Sequence, residues 1–226
     1  MKFVRVAGDG TRFRQTFWSP QMVQDDGGVI VATNVSRGAT PTGASARITY
    51  VGTESLGINA SKMTVRVKLL TTATALASNP VLVAKSPSAL NDNQWGIALA
   101  SGGGGRPYID IANAPADSSQ YALATANLLN STLYVLHWVY DGSLAAASRI
   151  AMYANGAVIG QTIGGTIPAA MRASTSPVCL FNRNGGTVAA PPTDVTVYDF
   201  RIWDRALSAL DVAQDYADTT NRLITP

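Results

Sequence analysis

The stretch Val197–Val212, which reads VYDFRIWDRALSALDV, decides the fold of the chain. Its first seven residues carry aromatic and branched side chains in an alternating pattern, as in a half-buried β-strand. Ser208 follows soon after, and Asp211 stands three residues further on, a spacing that caps the start of a helix. The stretch therefore predicts a last core strand followed by a short closing helix, with Trp203 buried beneath that helix.

This order of elements resembles the end of laminin-G-like and pentraxin-like domains, the jelly-roll relatives of concanavalin A-like lectins. In that family a strand with an Arg-Ile-Trp type core precedes a Leu-Ser-x-x-Asp/Glu turn, which Arg201–Trp203 and Leu207–Asp211 match. A second match is the Met-Tyr-x-Asn-Gly turn at Met152–Gly156. The resemblance covers about residues 37–217 and implies an all-β fold: an antiparallel β-sandwich, jelly-roll and lectin-like, with a short C-terminal helix.

Composition agrees with this class of fold. Hydrophobic residues make up 46% of the chain and charged residues only 14%, and 20 glycines and 11 prolines are typical of many short strands joined by tight turns. The pair Asn155-Gly156 predicts a type I′ hairpin turn with positive φ at both residues. The segments that predict further strands are Arg47–Val51, Met63–Leu69, Val81–Lys85, Trp95–Leu99, Pro107–Ile111 and Leu133–Tyr140.

The chain divides into two parts at the point where the resemblance begins. Residues 37–226 are predicted to form the laminin-G-like β-sandwich, and residues 1–36 an N-terminal arm or docking segment. The arm carries apolar side chains such as Phe13, Phe17 and Trp18 on a span too short to bury its own core. It therefore predicts either a strand that pairs with another chain or a strand that packs on its own domain.

Charge and cysteine content exclude several classes of protein. The net charge of +3 comes from scattered basic residues without a run, which argues against a nucleic-acid partner. No segment is long and apolar enough for a membrane span, and no apolar signal core follows Met1. Cys179 is the one cysteine, so no intrachain disulfide forms. These features predict synthesis in a cytoplasm without a signal peptide.

Catalytic residues are scarce. The chain has one glutamate, Glu54, and one histidine, His137. The glucanases among the lectin-like sandwiches use paired carboxylates, commonly two glutamates on one strand, which this chain cannot supply. A zinc site would need a cluster of histidine and cysteine ligands, and the chain has one residue of each type. We therefore predict that the protein is not an enzyme.

Two polar segments form a predicted ligand-binding rim. The first segment lies just before the predicted strand that begins at Trp95. Pentraxin-like relatives place an Asp-Asn pair in this position, where it binds calcium through oxygen atoms, and Asp92 and Asn93 match that pair. In the opposing segment Arg183 stands where carboxylates would be needed, so an Asx-rich turn is favoured over a calcium site, and any calcium site near Asp92 and Asn93 is weak. No cofactor is predicted. The rim residues are Asn91, Asp92, Asn93, Trp95, Asn182, Arg183 and Asn184.

Aromatic residues offer a second candidate site. An aromatic ring suits the apolar side of a sugar, yet aromatic residues on sandwich strands also fill cores. The sequence leaves both roles open for Trp95, Tyr108, Tyr121, Trp138 and Tyr140.

The resemblance implies a domain that acts outside cells, on glycans or protein surfaces, whereas the chain has neither signal peptide nor disulfide. A bacteriophage particle, assembled in the host cytoplasm and released by lysis, satisfies both conditions. The leading hypothesis is thus a non-catalytic virion structural protein, a capsid decoration or tail/fibre component. Its expected partners are capsid or tail proteins, its own copies in a homo-oligomer, and host-surface glycans. The alternative is a carbohydrate-binding or adhesion module of a bacterial surface protein.

Overall fold

The structure is a computed structural model. It describes backbone and side chains at residues 61–71, 80–86, 94–100, 105–112, 120–182 and 195–220. The backbone alone is described at residues 11–16, 22–24, 29–32, 39–41, 48–50 and 221. In these ranges no helix is long and apolar enough to cross a membrane.

The described elements are strands, one short 3-10 turn at Ala146–Ser148 and one α-helix. In chain order they are β1 (Thr11–Thr16), β2 (Met22–Gln24), β3 (Val29–Ala32), β4 (Ala39–Pro41), β5 (Ile48–Tyr50), β6 (Lys62–Thr71), β7 (Val81–Lys85), β8 (Trp95–Ala100), β9 (Arg106–Ile111), β10 (Gln120–Ala124), β11 (Leu133–Asp141), β12 (Ile150–Ala154), β13 (Ala157–Val158), β14 (Gln161–Gly164), β15 (Val178–Leu180), β16 (Val195–Trp203) and α1 (Ala209–Asn221).

The strands form two antiparallel sheets. Sheet A runs in the order β13-β12-β11-β6-β16-β4-β3-β2, and β1 also pairs with β16. Sheet B runs in the order β14-β10-β9-β8-β7-β15-β5. Each of the six predicted strands is present, and strands β8 and β9 pair with each other in an antiparallel arrangement. The all-β prediction with a C-terminal helix is therefore confirmed.

One hydrophobic core joins the facing sides of the two sheets. Strand β6 shows how the sequence builds it, because Met63, Val65 and Val67 alternate with polar residues and are fully buried in this core. Across the core, Ile97 and Ile109 of sheet B are also fully buried. Side chains with the period of a strand thus fill the space between two sheets, as expected for a β-sandwich.

Sheet A is buried on its outer side as well. Residues of β6 that point away from the core, such as Thr64 and Arg66, have no exposed surface. Helix α1 covers this side and, with the loop before it, builds a second apolar cluster. Its buried members are Val139, Tyr153, Trp203, Leu207 and Val212. The prediction that Trp203 lies beneath the terminal helix is confirmed.

The start of helix α1 has the predicted cap. The Asp211 N–H donates to Ser208 Oγ at 3.1 Å, and the Ser208 N–H donates to Asp211 Oδ2 at 2.9 Å. The preceding loop is held to sheet A by Thr64, whose Oγ1 accepts from the Leu207 N–H at 3.0 Å and donates to the Arg205 carbonyl at 2.9 Å. These bonds satisfy donors at the helix start and fix its direction over the sheet.

The backbone of the N-terminal segment belongs to sheet A. Strand β1 pairs with β16 from Thr11↔Trp203 to Thr16↔Asp199, and β2 and β3 extend the same sheet through β4. The described strands of the N-terminal segment thus pair within the sheet of their own chain. Whether this segment also docks other chains, and whether a boundary falls at residue 36, stay predictions.

The β12–β13 hairpin turns at Asn155-Gly156, where φ is +51° and +80°. Positive φ at both residues is the type I′ geometry that the sequence predicted. A Cβ atom on Gly156 would stand 3.0 Å from Cδ1 of Tyr216, so the turn also packs closely against helix α1.

Replacing Gly156 with valine should destabilise the protein by at least about 1 kcal/mol, because a β-branched residue is strained at this φ. Thermal unfolding measures the change. Ala157→Val is the matched control, since Ala157 is exposed and lies in a strand where valine is favoured. Equal melting temperatures for the two variants would show that the turn does not constrain this position.

Candidate functional site

The outer side of sheet B carries a partly exposed group of residues that we call the tyrosine face: Arg106, Tyr108, Tyr121, Leu123 and Gly164. Alternation places them there. In strand β9 Ile109 and Ile111 fill the core, so the residues between and before them point outward.

The two tyrosines of this face form a stacked pair. Strands β9 and β10 pair Leu123 with Tyr108 and Tyr121 with Asp110, which makes the two tyrosines diagonal neighbours on one side of the sheet. Their ring centroids are 5.5 Å apart with an angle of 29° between the planes. Both tyrosines are partly exposed, so part of the stacked pair is accessible to solvent.

Small residues lie beside the two tyrosines. Gly164 of β14 lies opposite Tyr121, and a Cβ atom at Gly164 would collide with the Tyr121 ring. On the other side Ala98 of β8 lies opposite Tyr108. Arg106 stands two residues before Tyr108 and is partly exposed, whereas its Nε is buried without a hydrogen-bond partner in the described part of the chain. The face thus consists of the stacked tyrosine pair with a partly exposed arginine on the same side of the sheet.

The predicted rim is described in part. Residues 91–93, 183 and 184 lie outside the described residues, so Asn91, Asp92, Asn93, Arg183 and Asn184 stay predictions, as does a calcium site near Asp92 and Asn93. Asn182 has no exposed surface. In the part of the chain described, no three His, Cys, Asp or Glu side chains are grouped as a metal site would need.

Trp95 corrects the predicted rim. Its side chain has no exposed surface and belongs to the main core, because Trp95, Ile97 and Leu99 alternate on the inner side of β8. Trp138 and Tyr140 lie in the same core. Of the five aromatic residues considered for sugar stacking, the structure leaves Tyr108 and Tyr121 at the surface.

A buried group of charged residues lies between sheet A and helix α1, and we call it the charge cluster: Arg66, His137, Asp199, Arg201 and Asp215. Asp215 Oδ2 is 3.0 Å from His137 Nε2 and 3.6 Å from Arg66 Nε, and Asp215 Oδ1 is 2.9 Å from Arg201 Nη1. Arg66 also pairs with Asp199 and donates to Thr219. One helix carboxylate thus holds three side chains from three strands.

Burial and charge set the protonation states in this cluster. Burial lowers the pKa of His137 against the opposing effect of Asp215, and the positive charges of Arg66 and Arg201 lower it further. Burial would raise the pKa of Asp215, but the hydrogen bond with His137 and the charge of Arg66 outweigh it and lower the pKa. Since an ionised carboxylate only accepts, His137 Nε2 carries the proton and Nδ1 is bare.

This arrangement does not offer His137 as a catalytic base. The imidazole has no exposed surface, and its Nδ1 has no hydrogen-bond partner among the described residues. A general base must reach the proton of a bound substrate. Glu54 lies outside the described residues.

The fold and its second cluster under a closing helix define a lectin-like β-sandwich. A family model described as concanavalin A-like lectin/glucanases superfamily, of the laminin G type, matches residues 28–213. The chain belongs to this superfamily. No curated protein matches the sequence significantly.

Solved structures share the fold at low sequence identity. The Trypanosoma rangeli sialidase in complex with sialic acid matches 96% of this chain with a TM-score of 0.64 and 12% identity, and this chain covers 34% of that protein. The Ruminococcus gnavus IT-sialidase CBM40 bound to α2,3-sialyllactose matches 79% of this chain, is 95% covered by it, and has a TM-score of 0.58 and 13% identity.

A third structure is the binding domain of botulinum neurotoxin DC in complex with SialylT. It matches 91% of this chain with a TM-score of 0.57 and 11% identity, and this chain covers 46% of it. The chain thus spans about a third of the sialidase, whereas it spans nearly the whole CBM40 domain. At these identities the likeness shows the fold.

Proposed function

We propose that the protein is a non-catalytic carbohydrate-binding domain that binds glycans on its tyrosine face. The stacked, partly exposed pair Tyr108–Tyr121 is the observation that carries the proposal. The C–H side of a pyranose packs on aromatic rings, and polar groups beside the rings fix its orientation. Arg106, which is partly exposed and lies two residues before Tyr108 on the same side of β9, would supply such a polar group. The solved neighbours that are glycan-bound modules of the same fold support this class of function.

The test is binding to a glycan array, followed by titration with α2,3-sialyllactose and lactose. We expect the double variant Tyr108→Ala/Tyr121→Ala to lose at least about tenfold in affinity for the bound glycan, since each lost ring removes stacking area. Tyr198→Ala is the matched control, because Tyr198 is partly exposed on sheet A. Equal affinity of the double variant and the control would place the binding site elsewhere.

The same titration is repeated with and without a calcium chelator. The tyrosine face uses rings and one guanidinium, which do not coordinate a hard cation. Affinity should therefore be unchanged by a chelator. Binding that needs calcium would instead support the rim at Asp92 and Asn93.

We further expect no turnover of sialosides or β-glucans. The single glutamate excludes a paired-glutamate mechanism, and His137 is buried beneath helix α1. Incubation with sialyllactose and a β-glucan, with product analysis by chromatography, measures this. Turnover that disappears in Glu54→Gln would overturn the non-catalytic assignment.

The leading hypothesis from the sequence places this domain on a bacteriophage particle, with host-surface glycans as its ligands. Lectin-like binding on the tyrosine face fits that role and equally fits an adhesion module of a bacterial surface protein. Immunogold labelling of phage particles tests the first, and genes for portal, capsid and terminase beside this gene would support it. A longer parent gene for a surface protein would support the second.

A further inference from the structure

We propose that helix α1 is a pH-sensitive latch on the outer side of sheet A, which opens locally when His137 takes up a second proton. The helix is joined to the sheet at Asp215, which contacts His137, Arg66 and Arg201 at once. The proposal is independent of glycan binding, since the tyrosine face belongs to sheet B.

In the closed state, in which α1 lies on sheet A as in the structure, the geometry around His137 disfavours an imidazolium. Nε2 already donates to Asp215, and Nδ1 is buried without a partner in the described part of the chain. Protonation would place a second N–H where no described group accepts it. A buried, charged donor left without a hydrogen bond is strongly unfavourable.

The charges facing His137 oppose one another: Asp215 favours an imidazolium, whereas Arg66 and Arg201 disfavour it. Strand β6 contributes Arg66 and Lys68, and β16 contributes Arg201 beside the carboxylate of Asp199. From β12 the phenol of Tyr153 lies in the paired position, and from α1 comes Asp215. Two carboxylates therefore already face three basic side chains, and an imidazolium would add a fourth positive charge.

The Trp203 ring stacks with the imidazole of His137, with ring centroids 6.4 Å apart and an angle of 28° between the planes. When α1 lifts from the sheet, His137 reaches water and regains the ordinary pKa of about 6.5. The closed state binds the second proton less tightly because burial lowers the pKa of His137.

The sign of the pH dependence follows from this difference. The closed state is fully favoured above the ordinary pKa of about 6.5 and loses stability as pH falls below it, by up to about tenfold in the opening equilibrium for each pH unit. The loss continues down to the lowered pKa of the closed state. Asp215 does not contribute in this range, because its pKa lies below the ordinary carboxyl value of 3.8.

Hydrogen exchange of the intact chain tests the latch. Protection factors, which correct for intrinsic exchange rates, should fall for the α1 amides between pH 7.5 and pH 5.5, by up to about tenfold. The amides of β6 and β11 should keep theirs. Constant protection of α1 over this range would overturn the proposal.

Two variants separate titration from simple weakening of the helix. His137→Gln keeps a side-chain donor for Asp215 but does not titrate, so its α1 protection should be the same at both pH values. Ser208→Ala removes the cap and should lower α1 protection about fivefold at both pH values, which leaves the ratio between the two pH values as it is in the unmodified protein. A pH-dependent fall that persists in His137→Gln would assign the effect to another group.

A direct titration keeps the proposal testable if His137→Gln fails to fold. His137 is the one histidine of the chain, so its imidazole resonances need no further assignment. The latch requires a titration midpoint below about 6.5. A midpoint at or above that value would mean that the closed helix accepts the imidazolium, and the proposal would fall.

Discussion

Replacing Asp215 with alanine should lower the free energy of unfolding by about 3 to 5 kcal/mol. Its carboxylate accepts from His137 and pairs with Arg66 and Arg201 in a site from which water is largely excluded. Removing it leaves those cations with fewer partners, and an uncompensated buried charge is far more unfavourable than the pair was favourable. Arg66 keeps Asp199, which limits the loss.

Chemical denaturation followed by near-ultraviolet circular dichroism measures the effect. Asp218→Ala is the matched control, because Asp218 is an exposed aspartate on the same helix that accepts from Gln214, its neighbour one turn away. It should change stability by less than about 0.5 kcal/mol. If Asp215→Ala and Asp218→Ala had the same denaturation midpoint, the charge cluster would not hold the helix.

The second large effect is expected for Trp203→Ala, which should lower the free energy of unfolding by about 3 to 5 kcal/mol. The Trp203 side chain is 3% exposed and packs with Val139, Tyr153, Leu207 and Val212. Its removal would leave a cavity between helix and sheet and would take the stacking partner from His137. Trp203→Phe should recover part of the loss.

Leu210→Ala provides the comparison for Trp203→Ala. Leu210 lies in the first turn of α1, on its outer side, and is 79% exposed, so its truncation should leave stability nearly unchanged. A Trp203→Ala protein as stable as Leu210→Ala would mean that the second cluster contributes little to folding.

Local sequence patterns predicted most of the fold. Alternation in Met63–Leu69 and Leu133–Tyr140, the Asn155-Gly156 turn and the Ser208–Asp211 cap each depend on residues close in sequence, so a single chain reveals them. The burial of Trp203 under the helix followed from the same reasoning. Local patterns could not predict the pairing of β1 with β16, because this pairing joins residues near opposite ends of the chain.

The candidate sites were harder to predict. Five aromatic residues occupied similar strand patterns, and only the packing of the sheets separates Tyr108 and Tyr121 from Trp95, Trp138 and Tyr140. A signal was present for Tyr108, because Ile109, Asp110 and Ile111 alternate and Tyr108 shares the parity of Asp110.

The charge cluster gave no local signal. Asp215 stands on the helix side defined by Val212 and Thr219, one turn on either side, where an apolar residue would be expected. Its partners Arg66 and His137 come from strands far away in the sequence. Only the fold brings them together.

Mapping the glycan contact by NMR decides whether glycans bind on the tyrosine face. A sialylated or neutral glycan that the array identifies is titrated into the labelled protein, and backbone shifts are followed. We expect perturbations centred on β9, β10 and β14 around Tyr108, Tyr121 and Gly164, with sheet A unchanged. Perturbations confined to residues 91–93 and 182–184, or the absence of any shift at millimolar glycan, would contradict this expectation.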